Sequence, residues 1–247
     1  MKFTPMELVT LLSIFAAESS LMLNRRKLIL GLAPAAILPA ASTTSLAAAS
    51  EAKSADFVPS FFSPDEWRFI NAAVARLIPD DGNGPGGIET GVPEFIDRQM
   101  EAPYGHGAYS YMQGPFHPDA PPTLGYQLQY TPREIYRVGI ADANKSSVGS
   151  GGGSFADLTP DKQDEFLAQA EKGKISFERI PAASFFAQLL ENTREGYLAD
   201  PMYGGNRGMA AWKWIGFPGA RADFTDWIDR PGSPYPLGPV AIQGSRR

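Results

Sequence analysis

The sequence has 247 residues and a formal net charge of −5, and 43% of its residues are hydrophobic. An acidic chain with no basic block beyond its N-terminal region offers little to a phosphate backbone, so nucleic acid is not an expected partner. Cysteine is absent, which excludes disulfides, cysteine-held iron–sulfur clusters, covalently attached c-type haem and a cysteine nucleophile in this chain.

The N-terminal region, residues 1–49, has the features of a cleavable export signal. Arg25 and Arg26 stand before a mildly apolar stretch, residues 28–41, and a run of small residues follows. The apolar stretch is too short and too rich in Ala and Pro for a membrane-spanning helix. The placement of the arginine pair favours a twin-arginine signal over about residues 22–49. Because this route exports folded proteins, we expect a periplasmic location.

The first 21 residues are an unusual extension to such a signal, because residues 8–17 form an apolar stretch of their own. We therefore expect translation to start at Met22. The mature protein, residues 50–247, is long enough for one domain with a hydrophobic core. No internal repeat and no second domain are visible in it.

Helix starts are the clearest structural signals in the mature part. Ser63 and Glu66, with a proline between them, form a capping-box pattern that predicts a helix from residue 64. Phe62 and Trp67 flank this start as a hydrophobic staple. Apolar residues then recur at steps of three and four until Pro79, which places them on one helical face. The residues of that face are Trp67, Ile70, Val74, Leu77 and Ile78.

Four further helices are predicted along the chain. One covers residues 92–100, two start after Thr131 and Thr159, and the last runs from about residue 181 to 199. Irregular segments rich in Gly and Pro separate them and show no strand alternation. These segments include residues 80–87, 103–125 and 146–154. The sequence therefore predicts a mainly α, single compact helical domain with long Gly/Pro-rich irregular loops.

Two motifs that could bind a ligand are better explained by ordinary structure. Residues 82–87 match the glycine pattern of a dinucleotide site, but they follow a predicted helix instead of a strand, which favours a turn. His106 and His117 are the only histidines and lie in a predicted loop. They could ligate a haem or a metal together with acids, but two histidines are more typical of surface or structural positions.

Hydrolase chemistry finds little support. The acid pairs Glu94/Asp97 and Asp226/Asp229 have helical spacing and could in principle serve a glycosidase, but such pairs usually form a solvated face. No G-x-S-x-G elbow occurs, so a serine hydrolase is not expected.

Residues 200–228 concentrate aromatic side chains among glycines and hold three of the four tryptophans. Aromatic residues and arginine are enriched at the energetic centres of interfaces, and glycine lets backbones approach closely. The residues alone are equally compatible with partner docking and with internal packing. The candidate interface residues are Tyr203, Asn206, Arg207, Trp212 and Trp214.

Several sequence blocks are distinctive when taken together. The most specific is Asp200-Pro201-Met202-Tyr203-Gly204-Gly205-Asn206-Arg207, continued by Trp212-Lys213 and Gly216-Phe217-Pro218-Gly219. The others are residues 77–79, 91–97, 111–116, 125–127 and 131–136. Through these blocks the chain resembles, over about residues 61–220, the small subunit (subunit 3 or gamma) of membrane-associated gluconate 2-dehydrogenase and its relatives that oxidise sugars. Gly208 and Ala211 depart from the usual acidic residue and glycine of that family.

The resemblance implies a heterotrimer. In it a large FAD-containing subunit oxidises the substrate, and a multihaem cytochrome c subunit passes the electrons to ubiquinone. The small subunit is then expected to hold no catalytic residue and no cofactor, with FAD and haem c in its partners. It would associate with the periplasmic face of the inner membrane through those partners. The substrate, a sugar or a sugar acid, is not encoded in the matching blocks.

The resemblance implies a further role for the export signal. Export of a folded protein is needed chiefly when a cofactor is inserted in the cytoplasm, yet this chain is expected to hold none. We therefore expect the twin-arginine translocase to export the FAD subunit together with this chain by means of Arg25 and Arg26. Two alternatives stay open: an autonomous periplasmic sugar-binding protein or enzyme that uses residues 200–214, and a structural envelope protein.

Overall fold

The computed structural model describes residues 57–117, 120–125, 127–148 and 153–243. The expected targeting region, with Met22, Arg25 and Arg26, lies outside these residues. Within them the structure contains α-helices and short 3-10 helices but no β-strand, which confirms the mainly α prediction. The α-helices are α1 (Pro64–Leu77), α2 (Val92–Glu101), α3 (Pro132–Val148), α4 (Pro160–Glu171), α5 (Ala182–Leu198) and α6 (Ala210–Ile215).

Local capping fixes the starts of α1 and α3 where the sequence predicts them. The Ser63 hydroxyl accepts a hydrogen bond from the Glu66 backbone N–H, and the Glu66 carboxylate accepts one from the Ser63 N–H at 2.8 Å. Before α3, the backbone N–H and the hydroxyl of Thr131 both donate to the Glu134 carboxylate at 2.8 Å. These bonds satisfy groups that a helix start otherwise leaves unpaired. The five helices predicted from the sequence are all present.

The centre of the hydrophobic core is α5, which packs against every other α-helix. Its buried Phe185 lies edge-on to Tyr136 of α3, with ring centroids 6.2 Å apart. The rings of the two expected staple residues contact other residues: Phe62 packs edge-on against Tyr136, and Trp67 lies beside Phe57. These contacts join the segment before α1 to α3 and to the core.

A buried carboxylate fixes the segment that leads into α1. Asp97 of α2 is fully buried and accepts hydrogen bonds from the Ser60 N–H and hydroxyl at 2.8 and 2.9 Å. It also accepts from the N–H groups of Phe61 and Phe62, both at 3.0 Å. The expectation that Glu94 and Asp97 form a solvated face is therefore wrong, because a carboxylate with four donors can be buried at tolerable cost.

After α6 the chain has little regular structure. A short 3-10 helix covers Thr225–Trp227, and an isolated parallel bridge pairs Gly219 with Val240. Among the described residues, none of the helices combines the length and the apolar character needed to cross a bilayer.

Candidate partner interface

The segment between α5 and α6 is a series of tight turns. Two 3-10 helices, Pro201–Tyr203 and Arg207–Met209, lie in this segment, and the second ends where α6 begins. The Asp200 carboxylate caps the first by accepting a hydrogen bond from the Met202 N–H at 3.1 Å. Asn206 and Met209 have positive φ angles of 45° and 56°, which non-glycine residues adopt uncommonly. The turns are thus fixed by local capping and by unusual backbone conformations.

Asn206 links the helices on either side of these turns. Its side chain is fully buried. The amide Nδ2 donates to the Ala199 carbonyl at 3.0 Å, and Oδ1 accepts from the Ala211 N–H at 3.0 Å. One side chain therefore satisfies a backbone group at the end of α5 and another in the first turn of α6. This use is internal and leaves Asn206 no surface for a partner.

Arg207 holds the same turns against the start of α2. Its backbone N–H donates to the Thr90 carbonyl at 2.9 Å, and its guanidinium forms an ion pair with the Glu94 carboxylate. The Glu94 side chain is largely shielded, with 12% of its surface exposed. Glu94 is therefore engaged in a structural ion pair with a residue far along the chain.

Glycines allow α2, α5 and these turns to approach at backbone distance. A Cβ atom on Gly205 would lie 2.0 Å from the carbonyl oxygen of Gly196 in α5. A Cβ atom on Gly196 would in turn lie 2.7 Å from the ring of Phe95 in α2. No real side chain tolerates these separations, so the three segments pack this closely only with glycine at both positions.

The two tryptophans of α6 have opposite environments. Trp212 is buried, its indole N–H donates to the Leu198 carbonyl at 2.8 Å, and its ring lies edge-on to Phe217. Trp214 is 50% exposed. One side of its ring covers Gly84 in the loop after α1, where an added Cβ would lie 2.7 Å from Trp214 Cε2. Trp214 is thus seated on one side and open to solvent on the other.

Between residues 200 and 217, five large apolar side chains remain exposed: Met202, Tyr203, Trp214, Ile215 and Phe217. We call the three aromatic ones, Tyr203, Trp214 and Phe217, the exposed aromatic set. Exposed apolar residues concentrated in one short region are typical of interaction sites. Of the five candidate interface residues, the structure leaves Tyr203 and Trp214 available and engages Asn206, Arg207 and Trp212 in internal contacts. The candidate residues did not include Met202, Ile215 and Phe217, because short turns and a helix of six residues give no periodicity that would mark which of their side chains stay exposed.

The other candidate motifs are the two histidines and the glycine pattern at residues 82–87. Both histidines are exposed, and the side chain of His106 contacts the Arg133 guanidinium, with 2.7 Å between Nε2 and Nη1. In the part of the chain that the structure describes, no three His, Asp or Glu residues are grouped to hold a metal ion. Residues 82–87 follow α1 and form turns, so the strand that a dinucleotide site requires does not precede them.

A buried polar cluster on α5 was not expected from the sequence. Asn192 accepts a hydrogen bond from the Tyr136 hydroxyl at 3.1 Å and donates to the Tyr104 hydroxyl at 3.0 Å and the Glu195 carboxylate at 2.9 Å. Partial burial, with a smaller contribution from Glu191, raises the pKa of Glu195. Burial likewise raises the pKa of Tyr104 and that of Tyr136. The cluster joins α3, α5 and the turn after α2.

Comparison with known proteins gives one family. The sequence model described as gluconate 2-dehydrogenase subunit 3 matches residues 64–219, which is more than half of the chain and includes α1 to α6. No curated protein and no solved structure matches the chain. The matched range agrees with the resemblance read from the sequence blocks. The chain therefore belongs to the gluconate 2-dehydrogenase subunit 3 family.

Proposed function

We propose that the chain is the small, non-catalytic subunit of a membrane-associated complex of the gluconate 2-dehydrogenase type. In this complex an FAD subunit oxidises gluconate or a related sugar or sugar acid, and a multihaem cytochrome c subunit passes the electrons to ubiquinone. The complex lies at the periplasmic face of the inner membrane. The family match over residues 64–219 is the observation that carries the proposal.

The exposed aromatic set is the surface that we assign to the FAD subunit. Large aromatic side chains supply much of the binding energy at interfaces. Asp200 caps the 3-10 helix that contains Tyr203, and the ring of Trp214 rests on Gly84, so the backbone at Tyr203 and the side chain of Trp214 are held before a partner arrives. A surface that is ordered in advance loses less conformational entropy on binding. These contacts support docking through Tyr203 and Trp214.

The second part of the proposal concerns assembly and export. The FAD subunit acquires its flavin in the cytoplasm, binds this chain, and crosses the membrane with it through the twin-arginine translocase. The signal at Arg25 and Arg26 then serves two chains. Because it has no cysteine, this chain cannot hold a cysteine-bound iron–sulfur cluster or a covalently attached c-type haem, and the proposal places the redox groups in its partners.

Co-expression of this chain with an FAD subunit of the same enzyme class, followed by affinity purification, tests the proposal. We expect a flavin-containing complex, with flavin absorbance eluting together with this chain. The isolated chain should bind neither gluconate nor glucose in calorimetry. Sugar binding by the isolated chain without any flavoprotein partner would favour the autonomous sugar-binding alternative. Neither a partner nor a ligand would favour a structural envelope protein.

A further inference from the structure

The chain continues beyond the family match, which ends at residue 219, and returns to the fold. We call residues 219–243 the C-terminal strap. Its first attachment is the parallel bridge between Gly219 and Val240. There the Ala220 N–H donates to the Val240 carbonyl at 2.7 Å, and the Val240 N–H donates to the Pro218 carbonyl at 3.3 Å. The two ends of the strap are therefore tied to each other.

The second attachment of the strap is a carboxylate of the family-matched part. One oxygen of Asp200 accepts a hydrogen bond from the Ile242 N–H at 2.7 Å, and the other accepts from the Met202 N–H at 3.1 Å. Asp200 and Ala241, which precedes Ile242, are both buried. A single carboxylate thus joins the end of the strap to the turn that carries Tyr203.

Between these attachments the strap contributes nothing to the core. The structure describes residues 220–240 completely, and none of them is buried. Tyr235 packs edge-on against Phe224 and Trp227, with ring centroids 5.4 and 5.5 Å apart. Arg221 lies over the Tyr235 ring and donates to the Gly238 carbonyl, so these contacts also lie within the strap. Ile228 is 72% exposed. The position of the strap on the fold therefore depends on the two attachments.

We propose that the C-terminal strap opens and closes as a unit on these two attachments, and that its closure holds the Asp200–Tyr203 turn in its capped conformation. Segments with few buried contacts open at lower free energy than the whole fold. When the strap opens, Asp200 loses the hydrogen bond from the Ile242 N–H, and the buried side chain of Ala241 becomes exposed to solvent. The turn between Asp200 and Met202 then loosens while the core helices stay folded. This inference concerns the chain alone and does not depend on the proposed partner.

Two glycines of the strap provide a matched experiment. Gly219 and Gly232 have nearly the same φ angles, 76° and 74°, so alanine introduces similar backbone strain at both. Only at Gly219 would the added Cβ meet another segment, 2.2 Å from the Val240 carbonyl oxygen; at Gly232 nothing lies within 4 Å. A difference in hydrogen exchange between the two alanine variants therefore reports the effect of disrupting the bridge between Gly219 and Val240.

Hydrogen–deuterium exchange of the full chain gives the readout. Gly219→Ala should speed exchange in residues 219–243 and also in residues 200–204, with exchange in α1 to α5 unchanged. Gly232→Ala should speed exchange only near residue 232. If Gly219→Ala leaves residues 200–204 as protected as in the parent chain, the strap does not control that turn and the inference is wrong.

Asp200→Asn tests the second attachment, with Asp223→Asn as its control. Among the described residues, Asp223 accepts hydrogen bonds from the N–H and the hydroxyl of Thr225, within the strap. The asparagine amide has one acceptor oxygen, so it cannot accept from both the Ile242 and the Met202 N–H, and exchange at residues 240–243 should rise by about tenfold. Asp223→Asn should leave those residues unchanged. Equal exchange at residues 240–243 in the two variants would contradict the proposed role of Asp200.

Discussion

The guanidinium of Arg207 forms an ion pair with the carboxylate of Glu94, and this pair ties the turns after α5 to the first turn of α2. Both residues belong to blocks that resemble the subunit 3 family. Glu94 is largely shielded from solvent, so losing its partner leaves a charge in a poorly hydrated position.

The first prediction concerns this ion pair. Arg207→Ala should lower the free energy of unfolding by about 2 kcal/mol, because a shielded carboxylate loses its charged partner. Urea denaturation followed by circular dichroism measures the change. Arg68→Ala is the matched control, since Arg68 pairs with Asp157 where both side chains are well exposed. A loss as large in Arg68→Ala would show that the Arg207 pair has no special weight.

Asn206 gives a second prediction that separates its hydrogen bonds from its backbone conformation. Asn206→Gly keeps the positive φ angle accessible but removes the bonds to Ala199 and Ala211. We expect a loss of about 2 kcal/mol in the free energy of unfolding, roughly 1 kcal/mol for each bond.

Met209→Gly is the control for that prediction. Met209 also has a positive φ angle, so glycine relieves strain there and removes a partly buried side chain but no side-chain hydrogen bond. The free energy of unfolding should fall less in this variant than in Asn206→Gly. If the two variants lost equal stability, the bridging role assigned to the amide would be incorrect.

The third prediction tests the exposed aromatic set. Replacing Tyr203 and Trp214 together with alanine should weaken binding of the FAD subunit by about tenfold or more, as expected for interface aromatics. Helix content should not change, because both side chains are about half exposed. Pull-down at graded partner concentration and circular dichroism measure the two effects. Tyr109 and Tyr111 are also highly exposed, and their double alanine variant should bind normally.

The fourth prediction is a pH dependence set by Glu195. Its pKa is raised in the folded protein, first by burial and then by Glu191, so the folded state binds more protons than the unfolded state between the ordinary and the raised value. Stability should therefore increase as the pH falls through the raised pKa. Above that pKa the ionised carboxylate is disfavoured by its surroundings, so this contribution is lost as the pH increases.

Glu195→Gln should flatten this part of the profile and raise stability at neutral pH. Urea denaturation at several pH values measures it. As a control, Glu171→Gln removes an exposed charge on α4 and should leave the dependence of stability on pH as it is in the parent protein. An unchanged slope in Glu195→Gln would assign the pH dependence to other groups.

The fifth prediction concerns export. Replacing Arg25 and Arg26 by lysine should leave both this chain and the FAD subunit in the cytoplasm, because the translocase reads the arginine pair. Cell fractionation followed by immunodetection of each subunit measures their location. The arginine pair at residues 246 and 247 gives a matched control, and its lysine variant should be exported. A flavoprotein that still reaches the periplasm in the Arg25/Arg26 variant would refute shared export.

Signals that act over a few residues were readable from the sequence, and contacts between distant segments were not. The start of α1 was predictable because Ser63 and Glu66 cap it locally. The burial of Asp97 was not, because its donors lie on a segment more than a helix length away in the chain. The internal role of Arg207 likewise depends on Glu94, which precedes it by several helices.

The two tryptophans of α6 show the same limit within one short helix. Trp212 and Trp214 are the same residue type in the same sequence motif. The indole N–H of Trp212 nevertheless donates to the Leu198 carbonyl at the end of α5, whereas the ring of Trp214 lies over Gly84 in the loop after α1. Residues two positions apart on an α-helix point to nearly opposite sides, and which side of α6 faces α5 depends on the path of the chain through Asn206 and Met209, whose φ angles no sequence pattern specifies.

The position of Trp214 over Gly84 has a consequence for the loop after α1. The missing side chain at Gly84 makes the flat seat on which the indole ring lies. Any larger residue at Gly84 must tilt or lift that ring and thereby reshape the surface assigned to the partner. A glycine in the first half of the chain thus sets the geometry of an aromatic side chain near its end, and a compensating change for one position should be sought at the other.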